Sequence, residues 1–251
     1  MRLALLFPAL AGLAAAAMPP AAAFAAVQTY QQCADLAKSD GQAAYNQALA
    51  WHGAGGGAAA QHCEALALAQ LGRYAEAASL FDALGRDRSQ QNGARAQFFD
   101  QAGNTWLLAQ DSTKAEVSFS NALMLVPDDV EMLADRARAR AMGKDWRGAD
   151  ADLSAALSHD PNRADLLVLR ASARHAAGRK AEARADIGRA LDIFPNYGDA
   201  LVERGAMKYE DGDAAGAHAD WQQVVRAAPR SRAAALAGEY LTETEAPPAK
   251  N

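Results

Sequence analysis

The sequence contains few aromatic residues and no long alternation of apolar and polar residues. Phe, Trp and Tyr make up 7% of the 251 residues, whereas 51% of the residues are apolar and many of these are alanine. Small side chains at this density suit close contacts between helices better than a wide β core. Because no alternating run is long enough to predict a strand, the chain is predicted to be all-α.

The sequence also lacks the features of a nucleic-acid-binding protein or an enzyme. Its formal charge is −5, so it has no basic character suited to phosphate backbones. The glycine-rich run at 53–57 is not followed by Gly-Lys-Ser/Thr, as a phosphate-binding loop requires. No Ser-His-Asp order, HExxH motif or paired inward carboxylates stand out. We therefore predict no enzymatic activity, no cofactor, no metal and no nucleic-acid partner.

Residues 1–25 differ in composition from the rest of the chain. Arg2 precedes a short apolar stretch, and the tripeptide Ala-Phe-Ala at 23–25 has the small-x-small pattern of a cleavage site. An uncleaved membrane anchor is the alternative, but the stretch is short and three prolines interrupt it. The sequence therefore predicts a signal peptide cleaved near Ala25. The mature protein is expected to be periplasmic, with secretion as the second choice, and to have no further membrane span.

The sequence contains only two cysteines, Cys33 and Cys63. In an oxidising compartment an even pair is most simply a disulfide. Free thiols are one alternative, and a metal site that also uses His52 and His62 is another. His62 and Cys63 are adjacent and no CxxC spacing exists, so a metal site is disfavoured. The favoured interpretation is a Cys33–Cys63 disulfide.

Four prolines recur at one fixed spacing, which we call the repeat interval: Pro127, Pro161, Pro195 and Pro229. Two further columns appear when the sequence is aligned on them, with an alanine and then a large apolar residue at constant distances before each proline. They are Ala115, Ala149, Ala183 and Ala217, and Phe119, Leu153, Ile187 and Trp221. These positions share one face of a helix. Each block therefore predicts two helices and a turn, with the proline closing the second helix.

This pattern resembles the tetratricopeptide repeat, a helical hairpin of about 34 residues. Glycines mark the predicted turn between the helices, where Gly178 and Gly212 are in register and Gly143 is one place off. The resemblance implies a right-handed α-solenoid of antiparallel helical hairpins, because one hairpin cannot bury its apolar face without a stacked neighbour. It also implies a protein that acts by binding other proteins.

A further, divergent copy reads ALALAQLGRYAEAASLFDAL, with Gly72, Tyr74, Ala77 and Phe81 in the family's columns. Ser89 occupies the slot of its closing proline, and a short insertion precedes the next copy. The predicted units are then a signal peptide over 1–25, a degenerate helical hairpin over 26–57, a divergent repeat over 58–92, repeats over 96–127, 130–161, 164–195 and 198–229, a capping helix over 230–241 and a disordered tail over 242–251.

Charged residues also recur at the repeat interval. They are Arg136, Arg170 and Arg204, and Asp152, Asp186 and Asp220. The block that ends at Pro127 carries Ala102 and Ser118 instead, so the two residue types are present together and absent together. A row of basic ligand-binding groups is one interpretation. We favour structural Arg–Asp ion pairs between packed helices, with the arginine stems along apolar surface.

By the same resemblance, four positions in the first helix of each repeat line a groove, at fixed offsets before the closing proline. They are Gln97, Asp100, Asn104 and Leu107; Glu131, Ala134, Arg138 and Ala141; Asp165, Val168, Ser172 and His175; and Asp199, Val202, Ala206 and Tyr209. Glu131, Asp165 and Asp199 give an acidic edge, although favourable placement near helix N-termini also explains them. The paired lysines and asparagines with which relatives grip a C-terminal carboxylate are missing. The expected partner is a neutral or basic extended segment or helix.

Three functions fit these expectations. The first is an exported scaffold or adaptor that binds a segment of a partner protein in its groove. The second is a periplasmic chaperone or assembly factor for envelope proteins. The third is a structural protein that self-associates through its end hairpins. The sequence does not name the partner.

Overall fold

The computed structural model describes residues 30–245, which form thirteen α-helices and contain no strand. The prediction of an all-α chain is confirmed. The predicted signal peptide and residues 246–251 of the predicted tail lie outside the described residues. None of the helices in the described range is both long and apolar enough to cross a membrane.

The helices pack in sequence order, each mainly against the helices that precede and follow it. Two helices precede the repeats, ten form five hairpins, and one follows them. They are α1 Tyr30–Ser39, α2 Gly41–Gly53, α3 Gly57–Gln70, α4 Tyr74–Arg86, α5 Asn92–Leu108, α6 Ser112–Leu125, α7 Val130–Met142, α8 Trp146–His159, α9 Ala164–Ala176, α10 Lys180–Ile193, α11 Gly198–Glu210, α12 Ala214–Ala227 and α13 Arg232–Glu245.

The four prolines mark the ends of helices, as the spacing predicts. α6, α8, α10 and α12 each end two residues before a proline, and the next helix begins three residues after it. Proline disfavours helical conformation in the residue before it and has no N–H to continue the ladder. The fixed spacing of the prolines therefore becomes the spacing of the hairpins.

The turns inside the hairpins share a left-handed residue. Gly178 and Gly212 have φ angles of 78° and 89°, and the residues one and two repeat intervals before Gly178, Lys144 and Gln110, have φ angles of 64° and 62°. The backbone conformation is thus kept where the sequence does not supply glycine, the residue that adopts it without strain. Gly143, one place off the register, is not the left-handed residue of its turn.

Helix α5 is longer than the first helices of the later repeats. It begins at Asn92, one helical turn before the position that the repeat register gives, so the repeat predicted to begin at 96 begins earlier. The insertion before this repeat is therefore helical in part. Arg95 Nε donates a hydrogen bond to the backbone oxygen of Gly85 at 3.0 Å, and this bond holds the extra turn against α4.

The C-terminal helix also extends beyond its predicted end. The capping helix was expected over 230–241 and a disordered tail from 242, but α13 continues to Glu245. Tyr240 packs on Trp221 with ring centroids 5.2 Å apart, and Thr244 Oγ1 lies 2.8 Å from His218 Nε2. These contacts with α12 hold the last turn of α13, so the tail prediction is wrong for residues 242–245.

The core of each hairpin pairs a small residue on the first helix with a large residue on the second. The small column is Gly103, Ala137, Ala171 and Gly205, and the large column is Phe119, Leu153, Ile187 and Trp221; all are buried. In these four hairpins glycine occurs where the large residue is aromatic and alanine occurs where it is aliphatic, whereas the α3–α4 hairpin has Ala65 with Phe81. A Cβ built at Gly103 would lie 2.6 Å from the Phe119 ring, and one at Gly205 would lie 2.3 Å from Trp221. The pairs therefore set how closely the two helices approach.

We expect this pairing to appear as coupling between Gly205 and Trp221. Gly205→Ala should destabilise the protein by roughly 1–3 kcal/mol through overpacking, and Trp221→Ile by roughly 3–5 kcal/mol through a cavity. The double variant copies the Ala171 and Ile187 pair of the preceding repeat, so it should be more stable than the sum of the two losses predicts. Urea unfolding followed by circular dichroism measures all four chains, and strict additivity would contradict the pairing.

Candidate partner-binding surface

The predicted groove residues project from one face of α5, α7, α9 and α11. We call this surface the inner face and define it by the sixteen positions given above. Gln97, Glu131, Arg138, Asp199 and Tyr209 are exposed on it, while Asp100, Asn104, Leu107, Ala141, Asp165, Ser172, His175 and Ala206 are partly buried. The face therefore presents polar and charged groups from four successive helices.

Three of the predicted positions have little surface to offer a partner. Val168 and Val202 are 7% and 4% exposed and belong to the main apolar core, and Ala134 is fully buried. They lie where neighbouring first helices pack together. Position within the repeat cannot distinguish a residue that lines an open groove from one that packs beneath it.

Hydrogen bonds connect neighbouring first helices across the inner face. Asn104 Nδ2 donates to Asp135 Oδ2 at 3.0 Å, and Ser172 Oγ donates to Glu203 Oε1 at 2.6 Å. Asp135 and Glu203 were not predicted as site residues. They do not recur at the repeat interval, since Leu169 occupies the position between them, so the repeat contains no signal for them.

Asp100 is half-buried among carboxylates on this face. Burial, together with the neighbouring charges of Asp135, Asp129 and Glu131, raises the pKa of Asp100 to about 6, and a hydrogen bond from Asn104 offsets only part of this effect. Within the described residues its Oδ1 atom is buried without a hydrogen-bond partner. A nearby cation, Arg138, is already engaged because it pairs with Asp135.

The acidic edge is partly neutralised by an arginine that the sequence did not single out. Arg163 Nη1 lies 2.5 Å from Glu131 Oε1, and its Nη2 lies 2.8 Å from Asp165 Oδ2. Hydrogen bonds from Arg163 lower the pKa of Asp165 although burial opposes the shift. Asp199 lies in the first turn of α11, and it is exposed.

The recurring arginines and aspartates pair between the two helices of each hairpin. The pairs are Arg136 with Asp152, Arg170 with Asp186 and Arg204 with Asp220. In each pair the guanidinium donates two hydrogen bonds of 2.7–2.9 Å to the carboxylate. The three aspartates are 2–4% exposed. Two-pronged charged hydrogen bonds of this geometry are strong and directional. The structure therefore places these residues between helices and away from the inner face.

A second column of cations binds the same aspartates. Arg140, Arg174 and Lys208 lie 2.7–2.9 Å from the carboxylates of Asp152, Asp186 and Asp220 respectively. These three cations also recur at the repeat interval, so the sequence contains a signal for this second column. Burial opposes ionisation of Asp220, but hydrogen bonds from Arg204 and Lys208 outweigh it and lower its pKa.

The hairpin of α5 and α6 uses a different polar contact. Trp106 stands in the column of Arg140, and Ser118 stands in the column of Asp152. Asp82 of α4 supplies the missing carboxylate: it accepts from Trp106 Nε1 at 3.0 Å and from Ser118 Oγ at 2.8 Å. A carboxylate from the preceding hairpin thus replaces the one that this repeat lacks.

Cys33 and Cys63 form a disulfide between α1 and α3, with their Cα atoms 5.9 Å apart. Neither cysteine is therefore a free thiol or a metal ligand. His62 lies 2.6 Å from Gln101 Oε1 and packs against the rings of Tyr30 and Phe98. Within residues 30–245 no cluster of three or more His, Cys, Asp or Glu side chains could hold a metal ion.

Comparison with solved structures identifies the class of fold as a helical solenoid. The chain is similar to a tetratricopeptide repeat protein from Parabacteroides merdae, with 17% identity over 84% of each chain and a TM-score of 0.59. It is also similar to a thermophilic tetratricopeptide repeat protein from Thermus thermophilus, with 17% identity, 72% of this chain and 95% of that one covered, and a TM-score of 0.57.

A third similar structure is YrrB, described as a tetratricopeptide repeat protein with an unusual peptide-binding site. It is 16% identical, with 77% of this chain and 96% of that one covered, and its TM-score is 0.55. No protein-family model and no curated protein matches the sequence. The chain therefore has the tetratricopeptide repeat fold, as its repeat interval predicted.

The Arg–Asp clusters of two repeats differ in burial, so removal of the aspartate should cost different amounts of stability in each. Asp186→Ala leaves Arg170 buried without its carboxylate and leaves Arg174 with Asp150 alone, and we expect a loss of about 3–5 kcal/mol. Asp220→Ala should cost clearly less, because the side chains of Arg204 and Lys208 are 40% and 33% exposed and water can solvate them. Urea unfolding of both variants tests this, and equal losses would contradict the difference.

The raised pKa of Asp100 predicts a pH-dependent effect on stability. Its folded pKa of about 6 exceeds the unfolded value of about 3.9, so its ionisation costs stability increasingly from about pH 4 to pH 6 and fully above that. Asp100→Asn should therefore be more stable than the wild type at pH 7.5. Allowing for its partial exposure, we expect about 1 kcal/mol, disappearing near pH 4.

Thermal melts across pH 4–8 measure this difference. Asp192→Asn, an exposed change on α10, serves as the matched control and should show little effect at any pH. An Asp100→Asn chain no more stable than the wild type at pH 7.5 would show that the carboxylate cluster is not strained by its charge.

Proposed function

We propose that the protein is an exported adaptor that binds an extended, neutral or basic segment of another protein along the inner face. This proposal rests on the regular spacing and the charge of the side chains on that face. Four successive helices present side chains there at a regular interval, and carboxylates outnumber cations among them. Regularly spaced polar groups suit an extended chain, and an excess of carboxylates favours lysine and arginine on it.

The charge excess persists after internal pairing is taken into account. Arg138 and Arg163 are engaged with Asp135, Glu131 and Asp165. Further along the face, Asp199 is exposed, and Glu210 on α11 binds Lys180 and His175. Glu203 bonds only to the hydroxyl of Ser172 among the contacts described above. Within the described residues, the inner-face carboxylates of Asp100, Asp199 and Glu203 thus form no ion pair.

Export is part of the proposal and has two supports. Residues 1–25 have the composition of a signal peptide, and Cys33 and Cys63 form a disulfide, a bond that persists mainly in oxidising compartments. YrrB, whose fold is similar, is described as having a peptide-binding site. We propose the same class of ligand here, with no enzymatic activity in this chain.

Crosslinking of the protein in the organism that produces it, followed by affinity capture and mass spectrometry, tests the proposal. We expect one partner in near-stoichiometric yield. Asp199→Lys combined with Tyr209→Ala should reduce its yield at least several-fold, because both side chains are exposed on the inner face. Asp192→Lys makes the same charge change on α10 and should leave the yield unchanged.

Other outcomes would assign a different function. Capture of many unfolded proteins, with no dominant partner, would support the alternative of a periplasmic chaperone or assembly factor. Identical partner yields from the wild type and the Asp199→Lys/Tyr209→Ala chain would show that the inner face is not the binding surface. Capture of only the chain itself would favour self-association.

A further inference from the structure

A cavity of about 320 Å³ opens between α7, α8 and α9. Its lining is largely apolar: Ala141, Ala173 and Ala176 contribute from the first helices, and Trp146 and Leu153 contribute from α8. Three of the lining residues, Arg138, Ala141 and Ser172, belong to the inner face. The cavity is therefore continuous with the surface on which we propose that a partner binds.

The cavity exists because α7 and α9 each carry an alanine, Ala141 and Ala176, where they line the junction between them. Ala141 belongs to a repeat column with Leu107, His175 and Tyr209, and Ala176 belongs to a column with Met142, Glu210 and Thr244. The junction between α5 and α7 thus has Leu107 with Met142. The junction between α7 and α9 has the two alanines, and no large side chain from either column is available to fill the space.

The later junctions fill the equivalent space with their own side chains. His175 Nε2 lies 3.0 Å from Glu210 Oε2 between α9 and α11, and Lys180 Nζ lies 2.7 Å from the same carboxylate. Between α11 and α13, the rings of Tyr209 and Tyr240 pack on Trp221 at 6.0 and 5.2 Å. The α7–α9 junction therefore has an open cavity at a position that the later junctions fill with side chains.

The polar groups near this space already have partners. Ser172 Oγ donates to Glu203 at 2.6 Å, and Arg138 pairs with Asp135. The start of α8, where Trp146 is the first helical residue, is capped by Asp145, whose side chain accepts from the Gly148 backbone N–H at 3.0 Å. The wall is preorganised and apolar, so it suits an apolar group better than a polar one.

We propose that this cavity is the anchor site of the inner face and takes one large apolar side chain, such as phenylalanine, leucine or methionine, from the bound segment. The volume is near the lower limit for small-molecule pockets and suits a single side chain. Carboxylates lie on both sides along the inner face, Asp100 on α5 and Asp199 and Glu203 on α11. Charge complementarity therefore assigns lysine or arginine to the residues that flank the anchor. This inference rests on the proposed function.

Two synthetic peptides test the inference. The first is acetyl-Gly-Lys-Arg-Gly-Phe-Gly-Lys-Arg-Gly-amide with a fluorescent label, and the second has alanine in place of phenylalanine. Fluorescence anisotropy should show that the wild type binds the phenylalanine peptide roughly tenfold to a hundredfold more tightly, which is the affinity expected from burying one such side chain.

The decisive variant fills the cavity with the pair found at the neighbouring junction. Ala141→Leu combined with Ala176→Met copies Leu107 and Met142, so the repeat fold already accommodates these side chains. The variant should bind both peptides equally and as weakly as the wild type binds the alanine peptide. Ala155→Leu, an exposed change on the outer helix α8, is the control and should keep the preference for phenylalanine. A thermal midpoint at or above that of the wild type shows that the filled variant is folded.

The outcomes separate this inference from the proposed function. Equal binding of the two peptides to the wild type, no binding of either peptide at millimolar concentration, or an undiminished preference in the filled variant each overturns the anchor site. The proposed function is judged by the crosslinking yield of the natural partner and its loss in the Asp199→Lys/Tyr209→Ala chain. A partner that is lost from that chain but captured normally by the filled variant would support the proposed adaptor function and overturn the anchor site.

Discussion

The close approach of the two helices in each hairpin is the constraint on which the rest of the structure depends. A buried glycine or alanine on the first helix faces a buried aromatic or aliphatic residue on the second, and the sizes of the two compensate. Because interiors are close-packed, this compensation keeps the hairpins alike although their sequences differ. It also brings Arg136, Arg170 and Arg204 within hydrogen-bonding distance of the aspartate on the second helix of the same hairpin.

The periodic part of the architecture could be predicted from the sequence, and the aperiodic part could not. The prolines marked the ends of four helices, and the Arg136 and Asp152 columns indicated residues that lie together. The extra turn of α5 went unpredicted because an insertion between repeats carries no sign that it is helical. The role of Asp82 depends on a contact between hairpins that no column records. Burial of Val168 and Val202 depends on how neighbouring hairpins stack, which position within one repeat does not specify.

The distribution of charge between interior and surface gives the inner face its character. Six cations are engaged with carboxylates between helices: Arg136, Arg140, Arg170, Arg174, Arg204 and Lys208. These cations are therefore occupied by ion pairs between helices, whereas the carboxylate of Asp199 is exposed. Packing and recognition are connected in this way, because the groups that hold the hairpins together are not available to bind a ligand.

The Arg–Asp clusters are not equally protected along the chain. Ser120 and Ser154 lie within hydrogen-bonding distance of Arg136 and Arg170, whereas Gly188 stands in the same column beside Arg204 and offers no hydroxyl. Arg204 is accordingly the most exposed of the three. At the opposite end, a covalent bond joins α1 to α3. Since each hairpin is supported by its neighbours, we expect thermal opening to start at α11–α13, where Arg204 is most exposed, and to advance toward the disulfide.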